Sequence, residues 1–430
     1  MQLYTFEKIV SLYIKYILIF KSKRKIDSNS ISYFNTHDKG GGAAKICFQI
    51  FNAHPNSVLF VKHKRTIEQE VFDFDPELWN RIGSYARKIE KKYGLIDFSK
   101  IGAIELINNE GFNRSKIIHI HNNHGYYLSF LIIKYLFKKK KVIWTLHDDY
   151  ILTGHCSFAM SCNKWVNGCN NCPDLSVYPK LDRDTTHINQ LYKLNTLKKV
   201  QPHIITPSKW LANRVAEKYP FLKNIDVIYN GVDIDVFKPS NQIQNLKLQN
   251  NIPVDKKVIL FIAELSVNNP FKGGDILMKI VEFFKLKSDY IFLTIGGNNS
   301  VDFPNVISLP YISDDAKLSE LYNIADIMLY PTKADNLPLV VLESMASGTP
   351  VIANNIAGIP EIIDNEINGY LIEDYDVNSY VNIINTFFKL DRYAVLEMSD
   401  GARSKIIQKF DLKNMNLEYD TLYKSIFSND

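Results

Sequence analysis

Short apolar stretches recur along the chain and alternate with stretches of helical periodicity. They predict strands at 30–35, Val58–Lys62, Ile117–His121, Val142–His147, His203–Pro207, Ile225–Tyr229, Val258–Ala263, Tyr290–Ile295, Val306–Leu309, Ile327–Tyr330 and Pro350–Ala353. Strands separated by helices favour parallel sheets with crossover connections. This alternation predicts an α/β protein, and it constrains the fold class more than any other feature of the sequence.

The strand series is interrupted by a turn-rich segment, NGVDIDVFKP at 230–239, which becomes polar further on. We interpret it as a linker between two α/β domains, 30–229 and 230–410. A chain of 430 residues has room for both. With 46% hydrophobic and 23% charged residues, disordered and fibrous classes are excluded. The net charge of +5 is too small for a dedicated nucleic-acid binder, so no nucleic-acid partner is expected.

Residues 1–29 predict an amphipathic, basic N-terminal helix. Lys15 interrupts the apolar run, so no membrane-spanning helix is expected. One helical stripe is polar, and a basic run follows it; the residues are Glu7, Lys8, Ser11 and Lys15, then Lys21, Lys23, Arg24 and Lys25. Such a helix suits an anionic membrane surface, but it is equally consistent with packing on the protein's own body. Neither interpretation exports the protein, so a cytoplasmic location is expected, with peripheral contact to the inner face of the membrane as an option.

A glycine-rich loop, predicted from Thr36 to Gly42, follows the first strand and precedes a helical segment. Strand, glycine-rich loop and helix form the opening unit of a dinucleotide-type domain. Small residues at Gly40, Gly41 and Gly42 let the main chain approach phosphates or an acceptor closely.

The segment 331–373 carries a carboxylate pair at the junction of a loop and a helix. Asp335 and Glu343 are separated by seven residues, which pass from the loop into the helix. A helix start offers backbone N–H groups to phosphate or to hydroxyls, and carboxylates accept hydrogen bonds from sugar hydroxyls. Taken alone, such a pair is also common on solvated surfaces.

This segment resembles the donor-binding signature of retaining glycosyltransferases of family 4, which have the GT-B architecture. The matching residues are Met345, Ala346, Gly348, Pro350, Val351 and Ile352, then Gly358, Ile359, Pro360 and Glu361, and finally Asn368 and Gly369. The first carboxylate of the signature is usually Glu and is Asp335 in this chain. The resemblance extends over about residues 30 to 425.

The resemblance implies two Rossmann-like domains with parallel sheets facing across a cleft. A final helix, around Asp411–Phe427 and within 411–430, is then expected to return to the first domain. On the donor side the resemblance assigns sugar hydroxyls to Asp335, the ribose to Glu343 and the diphosphate to Lys272, with donor contacts also from Gly41, Gly42, Asn336 and Leu337. The usual second cation, an arginine, is replaced by Glu264, unless an arginine elsewhere in the chain takes over its role.

Three further candidate residues lie in the first domain, and the resemblance concerns the first of them, His121. His121 corresponds to a histidine beside the donor sugar, and we count it with Asp335 and Glu343 as catalytic. His147 and Asp148 end the next strand and are expected on the acceptor side. A histidine considered singly is more often structural than functional. This applies to His121 and His147, and equally to His119 and His124.

Four cysteines cluster within 154–173, at Cys156, Cys162, Cys169 and Cys172. In a protein of a reducing compartment they favour a structural four-thiolate zinc site over disulfides. The Cys-x2-Cys spacing at one end is common in such sites, whereas the central interval is short for a zinc ribbon. Free thiols packed in a loop are the alternative.

Together these features predict a retaining, hexosyltransferase-type enzyme that moves a sugar from a nucleotide sugar to a lipid-linked oligosaccharide of a bacterial surface polysaccharide, such as a capsule, an O-antigen or an exopolysaccharide. The resemblance implies that no metal cofactor is needed for catalysis. Two alternatives stay open: a nucleotide-sugar epimerase of the same architecture, and a degenerate glycosyltransferase that acts as a scaffold.

Overall fold

The computed structural model describes residues 2–21, 30–78, 80–263, 268–269, 271–297 and 303–428. The chain divides into two compact units. The first comprises Met1–Ile228 with Glu418–Asp430, and the second comprises Tyr229–Leu417.

The first unit is an α/β sandwich around a parallel sheet. Its strands are β1 (Ile31–His37), β2 (Val58–His63), β3 (Val71–Asp73), β4 (Ile117–Ile120), β5 (Lys141–Thr145), β6 (His203–Thr206) and β7 (Ile225–Val227). Its helices are α1 (Gln2–Lys21), α2 (Gly42–Asn52), α3 (Arg81–Tyr93), α4 (Glu110–Arg114), α5 (Phe130–Tyr135), α6 (Lys164–Asn167), α7 (Thr186–Val200) and α8 (Lys209–Lys218). Within the described ranges the sheet order is β3-β2-β1-β4-β5-β6-β7, with every neighbouring pair parallel.

The second unit repeats this plan. Its strands are β8 (Lys257–Ile262), β9 (Tyr290–Ile295), β10 (Val306–Leu309), β11 (Ile327–Tyr330), β12 (Val351–Asn354) and β13 (Gly369–Ile372). Its helices are α9 (Ile243–Gln249), α10 (Gly274–Phe284), α11 (Asp315–Ile324), α12 (Leu339–Ala346), α13 (Val377–Phe387), α14 (Arg392–Lys409) and the start of α15 (Leu412–Ser428). In the part of the chain that is described, the strands follow the order β10-β9-β8-β11-β12-β13 and are all parallel.

The central strands of both sheets are covered on both faces and therefore consist of continuous apolar runs. In β4 and in β11 every residue is buried. The predicted strands are confirmed, most closely at Tyr290–Ile295, Val306–Leu309 and Ile327–Tyr330, where the bounds agree. Two edge strands, β3 and β13, were not predicted. The glycine-rich loop is shorter than predicted, because β1 continues to His37 and α2 begins at Gly42.

Each sheet has one place where the strand order reverses direction. In the first unit it lies between β1 and β4, and in the second between β8 and β11. At such a switch point the connections leave neighbouring strands in opposite directions and open a crevice at the carboxyl ends of the strands. The fold therefore offers one ligand-binding crevice in each unit, at the ends of these strand pairs.

Helix α1 packs on the first unit through one face. Phe6, Val10 and Ile14 are buried in its hydrophobic core, and the carboxylate of Glu7 accepts a hydrogen bond from Lys134 Nζ at 2.8 Å. Packing on the protein's own body is thus confirmed for this face. Glu7 of the predicted polar stripe lies against α5. The basic run from Lys23 onward lies outside the described residues.

The final helix contributes to the core of the first unit. Tyr423 Oη lies 2.6 Å from His119 Nδ1 and accepts a hydrogen bond from Tyr33 at 3.2 Å. Tyr419 Oη lies 3.0 Å from the hydroxyl of Thr145. Residues from α15 thus complete a buried polar network beneath the sheet. Across the described residues, no helix combines the length and the apolar composition needed to span a bilayer.

Candidate functional site

The switch point of the second unit carries a compact polar cluster made by Lys272, Tyr330 and Asp335. The ammonium of Lys272 donates to the Asp335 carboxylate and to Tyr330 Oη, the latter at 3.1 Å. Tyr330 also donates to Asp335. Burial, and then the adjacent carboxylate, raise the pKa of Tyr330 well above its usual value, so it stays a neutral donor. The fold thus brings together two of the residues predicted from the sequence and adds a tyrosine to them.

The position of Lys272 depends on the glycine that follows it. Gly273 has φ +77°, and a Cβ there would lie 1.8 Å from the carbonyl oxygen of Pro331. Only glycine tolerates both this conformation and this approach. Since Pro331 directly follows β11, the close contact fixes Lys272 beside the end of that strand. Glu264 lies outside the described residues.

Glu343 is buried one turn into α12 and is 4% exposed. Its Oε2 accepts a hydrogen bond from Tyr322 Oη at 2.9 Å. Burial, followed by this carboxylate, raises the pKa of Tyr322 well above its usual value. The carboxyl group is thus held in one orientation by a neutral phenol of α11.

The loop before α12 is held by its main chain. The carbonyl oxygen of Asn336 accepts from Gly358 N–H at 3.1 Å, and that of Leu337 accepts from Asn230 Nδ2 at 2.9 Å. Pro338 precedes the first helical residue, and this N-cap residue makes no side-chain hydrogen bond to the helix start. Because the N-cap residue leaves the first N–H groups of α12 uncapped, the position favours an anion or hydroxyl oxygen.

The switch point of the first unit is lined by imidazoles. His121 directly follows β4, is 1% exposed, and its Nδ1 lies 3.0 Å from His147 Nε2. Burial, then His119 and His147, hold the pKa of His121 well below its usual value, and burial lowers the pKa of His147 to about 4. Both rings are therefore neutral near pH 7. His121 Nε2 is buried and finds no partner among the described residues, so a ligand hydroxyl would satisfy it.

A second pair lies next to these imidazoles. His124 Nε2 is 2.6 Å from Asp148 Oδ2, and Asp148 Oδ1 accepts from Tyr150 N–H at 2.9 Å. Burial raises the pKa of Asp148, but His124 and the other donors outweigh it, so the net shift is downward. His119 differs from its neighbours, because both of its ring nitrogens are occupied, by Tyr423 and Thr145. It is a structural residue of the core.

The glycine-rich loop borders the same switch point. Gly41 has φ +78°, and a Cβ there would meet no described atom within 4 Å, so its main chain borders open space. It precedes Gly42, the first residue of α2, and no side chain caps this helix. Arg65 Nη1 donates to the carbonyl oxygen of Lys39 at 2.9 Å, and its guanidinium lies against Gly40. The sequence analysis did not single out this arginine.

The four clustered cysteines line one small cavity, of about 20 Å³, in the segment that follows β5. All four are free thiols. His155, Trp165 and Pro173 line the same cavity. As the side chains stand, no three His, Cys, Asp or Glu residues of the described ranges already enclose a single metal position.

Comparison with known families decides the identity of the chain. Residues 54–236 match the model "Glycosyltransferase Family 4", and residues 242–404 match the model "Glycosyl transferases group 1". Together the two matches cover most of the chain. The chain belongs to the family 4 glycosyltransferases.

Two curated relatives of this glycosyltransferase are named for colanic acid biosynthesis and for a cps region. The putative colanic acid biosynthesis glycosyl transferase WcaC of Escherichia coli K12 is 24% identical, over 62% of this chain and 66% of its own length. An uncharacterized 41.2 kDa protein in the cps region of Klebsiella pneumoniae is 26% identical, over 73% of this chain and 80% of its own length. The match thus covers just under two thirds of the length of WcaC.

Among solved structures, Anabaena Alr3699/HepE in complex with UDP-glucose aligns with a TM-score of 0.65 at 18% identity, covering 92% of this glycosyltransferase and 99% of that chain. At this level of identity the likeness concerns the fold alone. It agrees with the two parallel sheets described above, and the fold is GT-B.

Three positions near the site were missed or undervalued from the sequence of this glycosyltransferase. Tyr330 and Tyr322 are hydrogen-bonded to Asp335 and Glu343, and His124 is paired with Asp148. Only its position as the last residue of a strand at a switch point would have indicated Tyr330. No local pattern indicates Tyr322, because it comes from a neighbouring helix.

Proposed function

We propose that this glycosyltransferase moves a sugar, with retention of anomeric configuration, from a nucleotide sugar to a hydroxyl of a lipid-linked oligosaccharide during assembly of a bacterial surface polysaccharide. The observation that carries the proposal is the Lys272–Tyr330–Asp335 cluster at the switch point of the second unit. The relatives from colanic acid and cps regions support the polysaccharide context.

The donor's diphosphate binds Lys272 in this proposal. The ammonium already faces a carboxylate, so an anion is compatible with its surroundings. When the diphosphate takes over the ammonium, Asp335 is released to accept hydrogen bonds from sugar hydroxyls. Negative charge grows on the diphosphate as it departs, and a fixed cation stabilises that charge most in the transition state. The complex of HepE with UDP-glucose supports a nucleoside diphosphate sugar as the donor class.

Glu343 binds the ribose hydroxyls in this proposal. Its carboxylate accepts a hydrogen bond from Tyr322 on Oε2, which orients it. A carboxylate can accept hydrogen bonds from two vicinal hydroxyl groups such as those of a ribose. The N–H groups at the start of α12 are hydrogen-bond donors for the same ligand. The loop at Asn336 and Leu337 lines its binding site.

The first unit binds the acceptor in this proposal. His121, His147 and Asp148 suit uncharged hydroxyl groups, since the two imidazoles are neutral. An imidazole with a pKa this low is a poor general base at pH 7. The acceptor proton is therefore transferred to a phosphate oxygen of the departing nucleotide, on the face where the new bond forms, and no side-chain base is required.

The test is incubation of the full chain with a panel of nucleotide sugars, with and without lipid-linked oligosaccharide from a polysaccharide-producing bacterium. We expect nucleotide release that depends on the acceptor, and NMR of the product should show the donor's anomeric configuration. An inverted product would contradict retention. Donor isomerisation without acceptor would indicate the epimerase, and absence of nucleotide binding would indicate a scaffold.

We also propose that α1 binds an anionic membrane surface, where a lipid-linked acceptor resides. The face of α1 that is not packed exposes large apolar side chains beside lysines: Tyr4 at 70%, Ile9 at 45%, Leu12 at 57% and Tyr16 at 62%, with Lys8 and Lys15 also exposed. Burial and then nearby lysines, including Lys138 and Lys15, lower the pKa of Lys199, so basic groups gather beside this face. Apolar anchors within a basic cluster fit anionic lipid headgroups.

Removing α1 would strip Phe6, Val10 and Ile14 from the core, so substitution of the outer face is the sharper test. Leu12→Glu should reduce co-sedimentation with phosphatidylglycerol vesicles severalfold, and added salt should weaken binding of the unmodified protein. Ile67→Glu is the matched control, because Ile67 is 96% exposed outside α1. An equal loss of vesicle binding in both variants, or vesicle binding that does not change with added salt, would contradict the proposal.

A further inference from the structure

The segment between β5 and α7 contains a cluster of soft metal ligands that the transferase chemistry does not use. All four thiols of this segment line one cavity with His155, which is fully buried. A cavity of about 20 Å³ has room for a single water-sized particle or ion. The sequence spacing drew attention to the thiols alone, and the structure adds the imidazole.

The hydrogen bonds of His155 fix its tautomer. Its Nδ1 lies 2.8 Å from the carbonyl oxygen of Pro179, and since a carbonyl only accepts, Nδ1 carries the proton. Nε2 therefore presents a lone pair on the other side of the ring. A ring nitrogen bonded to a backbone carbonyl opposite a lone pair is the orientation that metal-ligating histidines adopt.

Two sulfurs lie beside this one lone pair. Cys156 Sγ and Cys172 Sγ are both 3.4 Å from His155 Nε2, and Cys172 Sγ is also 3.4 Å from the carbonyl oxygen of Asp174. Bond lengths of about 2.3 Å to sulfur and 2.05 Å to nitrogen put two ligands of a tetrahedral zinc ion about 3.6 Å apart. The observed separations of 3.4 Å agree with edges of such a tetrahedron.

A third sulfur is oriented next to this group. Cys169 Sγ accepts a hydrogen bond from Gly154 N–H at 3.2 Å, on the residue that precedes His155. This N–H donor fixes the orientation of the Cys169 sulfur. No three metal-ligating side chains of the described residues enclose one point, so a metal shell that includes Cys169 requires its sulfur to move toward His155.

We propose that His155, Cys156, Cys169 and Cys172 form a structural zinc site, and that Cys162 lies beside it as a thiol. Three sulfurs and one imidazole select zinc over magnesium or calcium, which prefer oxygen ligands. Four protein ligands leave no open position, so the ion takes no part in sugar transfer. This set differs from the four-thiolate set expected from the spacing, since His155 replaces Cys162.

The site would stabilise the segment that follows Asp148. Asp149 binds Ala159 N–H at 3.0 Å through Oδ2 and forms an ion pair with Arg214 at 3.0 Å. Its own N–H donates to the carbonyl oxygen of Ser157 at 2.7 Å. The metal-binding segment is thus attached directly beside the His124–Asp148 pair, and the ion limits its movement.

The experiment measures zinc in the full chain purified under reducing conditions, by elemental analysis. We expect about one zinc ion per chain, loss of zinc in His155→Ala and Cys172→Ser, and retention in Cys162→Ser. His187→Ala is the control, because His187 is exposed on the adjoining α7. Retention in His155→Ala together with loss in Cys162→Ser would overturn the assignment. Unmodified protein without zinc, or with disulfides between these cysteines, would overturn the site itself.

A second measurement avoids variants that fail to fold. Zinc-loaded protein is alkylated with iodoacetamide, and peptide masses then locate the label. We expect Cys162 to be labelled while the other three thiols of the segment are protected, and all four to be labelled after zinc is chelated. Protection of all four by zinc would contradict the ligand set, and labelling that is independent of zinc would contradict metal binding.

Discussion

At its switch point the second unit carries an ammonium and a carboxylate in direct contact, Lys272 and Asp335. The first unit carries at the equivalent place two imidazoles, His121 and His147, whose pKa values burial lowers. Two sheets of similar topology thus present a lysine–aspartate pair in one unit, and in the other two neutral imidazoles next to a histidine–aspartate pair. A doubly wound sheet fixes where a ligand binds, but the residues at the strand ends decide which charge it carries.

This contrast agrees with the chemistry of the two proposed substrates. A nucleotide sugar brings a diphosphate, whose charge increases as the glycosidic bond breaks, and needs a cation. An acceptor sugar brings hydroxyl groups, which neutral hydrogen-bonding partners recognise without a desolvated charge. If the contrast is functional, substitutions in the two units should affect different kinetic quantities.

The largest effect is expected for Lys272→Ala. Removing the ammonium withdraws the charge that stabilises the departing diphosphate, so turnover at saturating donor should fall about 100-fold or more. The measurement is the rate of nucleotide release with acceptor present. Lys333→Ala is the control, because Lys333 is a nearby lysine paired with Asp275 at 2.8 Å. Similar rates in both variants would contradict the placement of the diphosphate.

Glu343→Gln should weaken donor binding by about 1–3 kcal/mol, since a ribose hydroxyl would lose a charged acceptor. Calorimetry with the nucleotide sugar measures this loss. A double-mutant cycle of Glu343→Gln and Tyr322→Phe tests whether the phenol orients the carboxylate. We expect a coupling free energy between the two substitutions of about 1 kcal/mol. Glu320→Gln, on the same helix as Tyr322, should leave affinity unchanged. Unchanged affinity of Glu343→Gln for the nucleotide sugar would show that Glu343 does not bind the donor.

The neutral character of the first unit extends to a carboxyl group, and pH tests it. Burial, then the neighbouring Glu90, raise the pKa of Asp97 to about 7, and Tyr150 Oη lies 3.3 Å from its Oδ2. A raised folded-state pKa contributes stability that is complete below the unfolded-state pKa and is lost as pH rises through 7. From pH 5.5 to 8.5 this group should cost the folded protein about 2 kcal/mol.

Asp97→Asn should remove that loss, because the amide does not titrate and Asn tolerates the residue's left-handed backbone, φ +57°. Thermal unfolding at both pH values measures the difference. The variant should gain stability over the unmodified protein at pH 8.5 much more than at pH 5.5. The exposed Asp182→Asn provides the control. A gain that is independent of pH would show that the Asp97 carboxyl is not kept protonated.

The smallest effect is expected for His124→Gln, which removes the partner that lowers the pKa of Asp148. The KM for acceptor should rise by up to about tenfold, while donor affinity stays unchanged. His203→Gln is a matched control, because His203 forms a similar pair with Asp226 at 2.7 Å near the surface. A loss of donor affinity equal to the loss for acceptor would remove the distinction between the two units.

The sequence predicted the parts of the fold that local pattern determines. Buried central strands such as Ile327–Tyr330 are continuous apolar runs and were located to the residue. The two missed strands lie at sheet edges: Val71–Asp73 has three residues with one buried, and Gly369–Ile372 begins with glycine. Edge strands carry a weaker apolar pattern, because one side of the ladder has no neighbour.

Individual site residues were predictable from the sequence, but their partners were predictable only where both stand in one linear motif. Asp335 and Glu343 stand in one such motif, whereas Lys272 meets Tyr330 across 58 positions of the chain. His155 was overlooked because its neighbours in sequence drew attention to sulfur, and its role follows from the carbonyl oxygen of Pro179, 24 positions away. Such pairings arise from tertiary packing, on which spacing along the chain gives no information.

The contribution of α15 to the first unit has a consequence for how the protein is made. His119 Nδ1 meets Tyr423 Oη across 304 positions. A ribosome adding about 5–20 residues each second needs roughly 15–60 seconds to cover that distance. During this interval the sheet of the first unit exists without the phenol that completes its buried polar network. Until α15 has been synthesised, the polar groups of His119, Tyr33 and Thr145 therefore lack the phenol partners that they have in the folded protein.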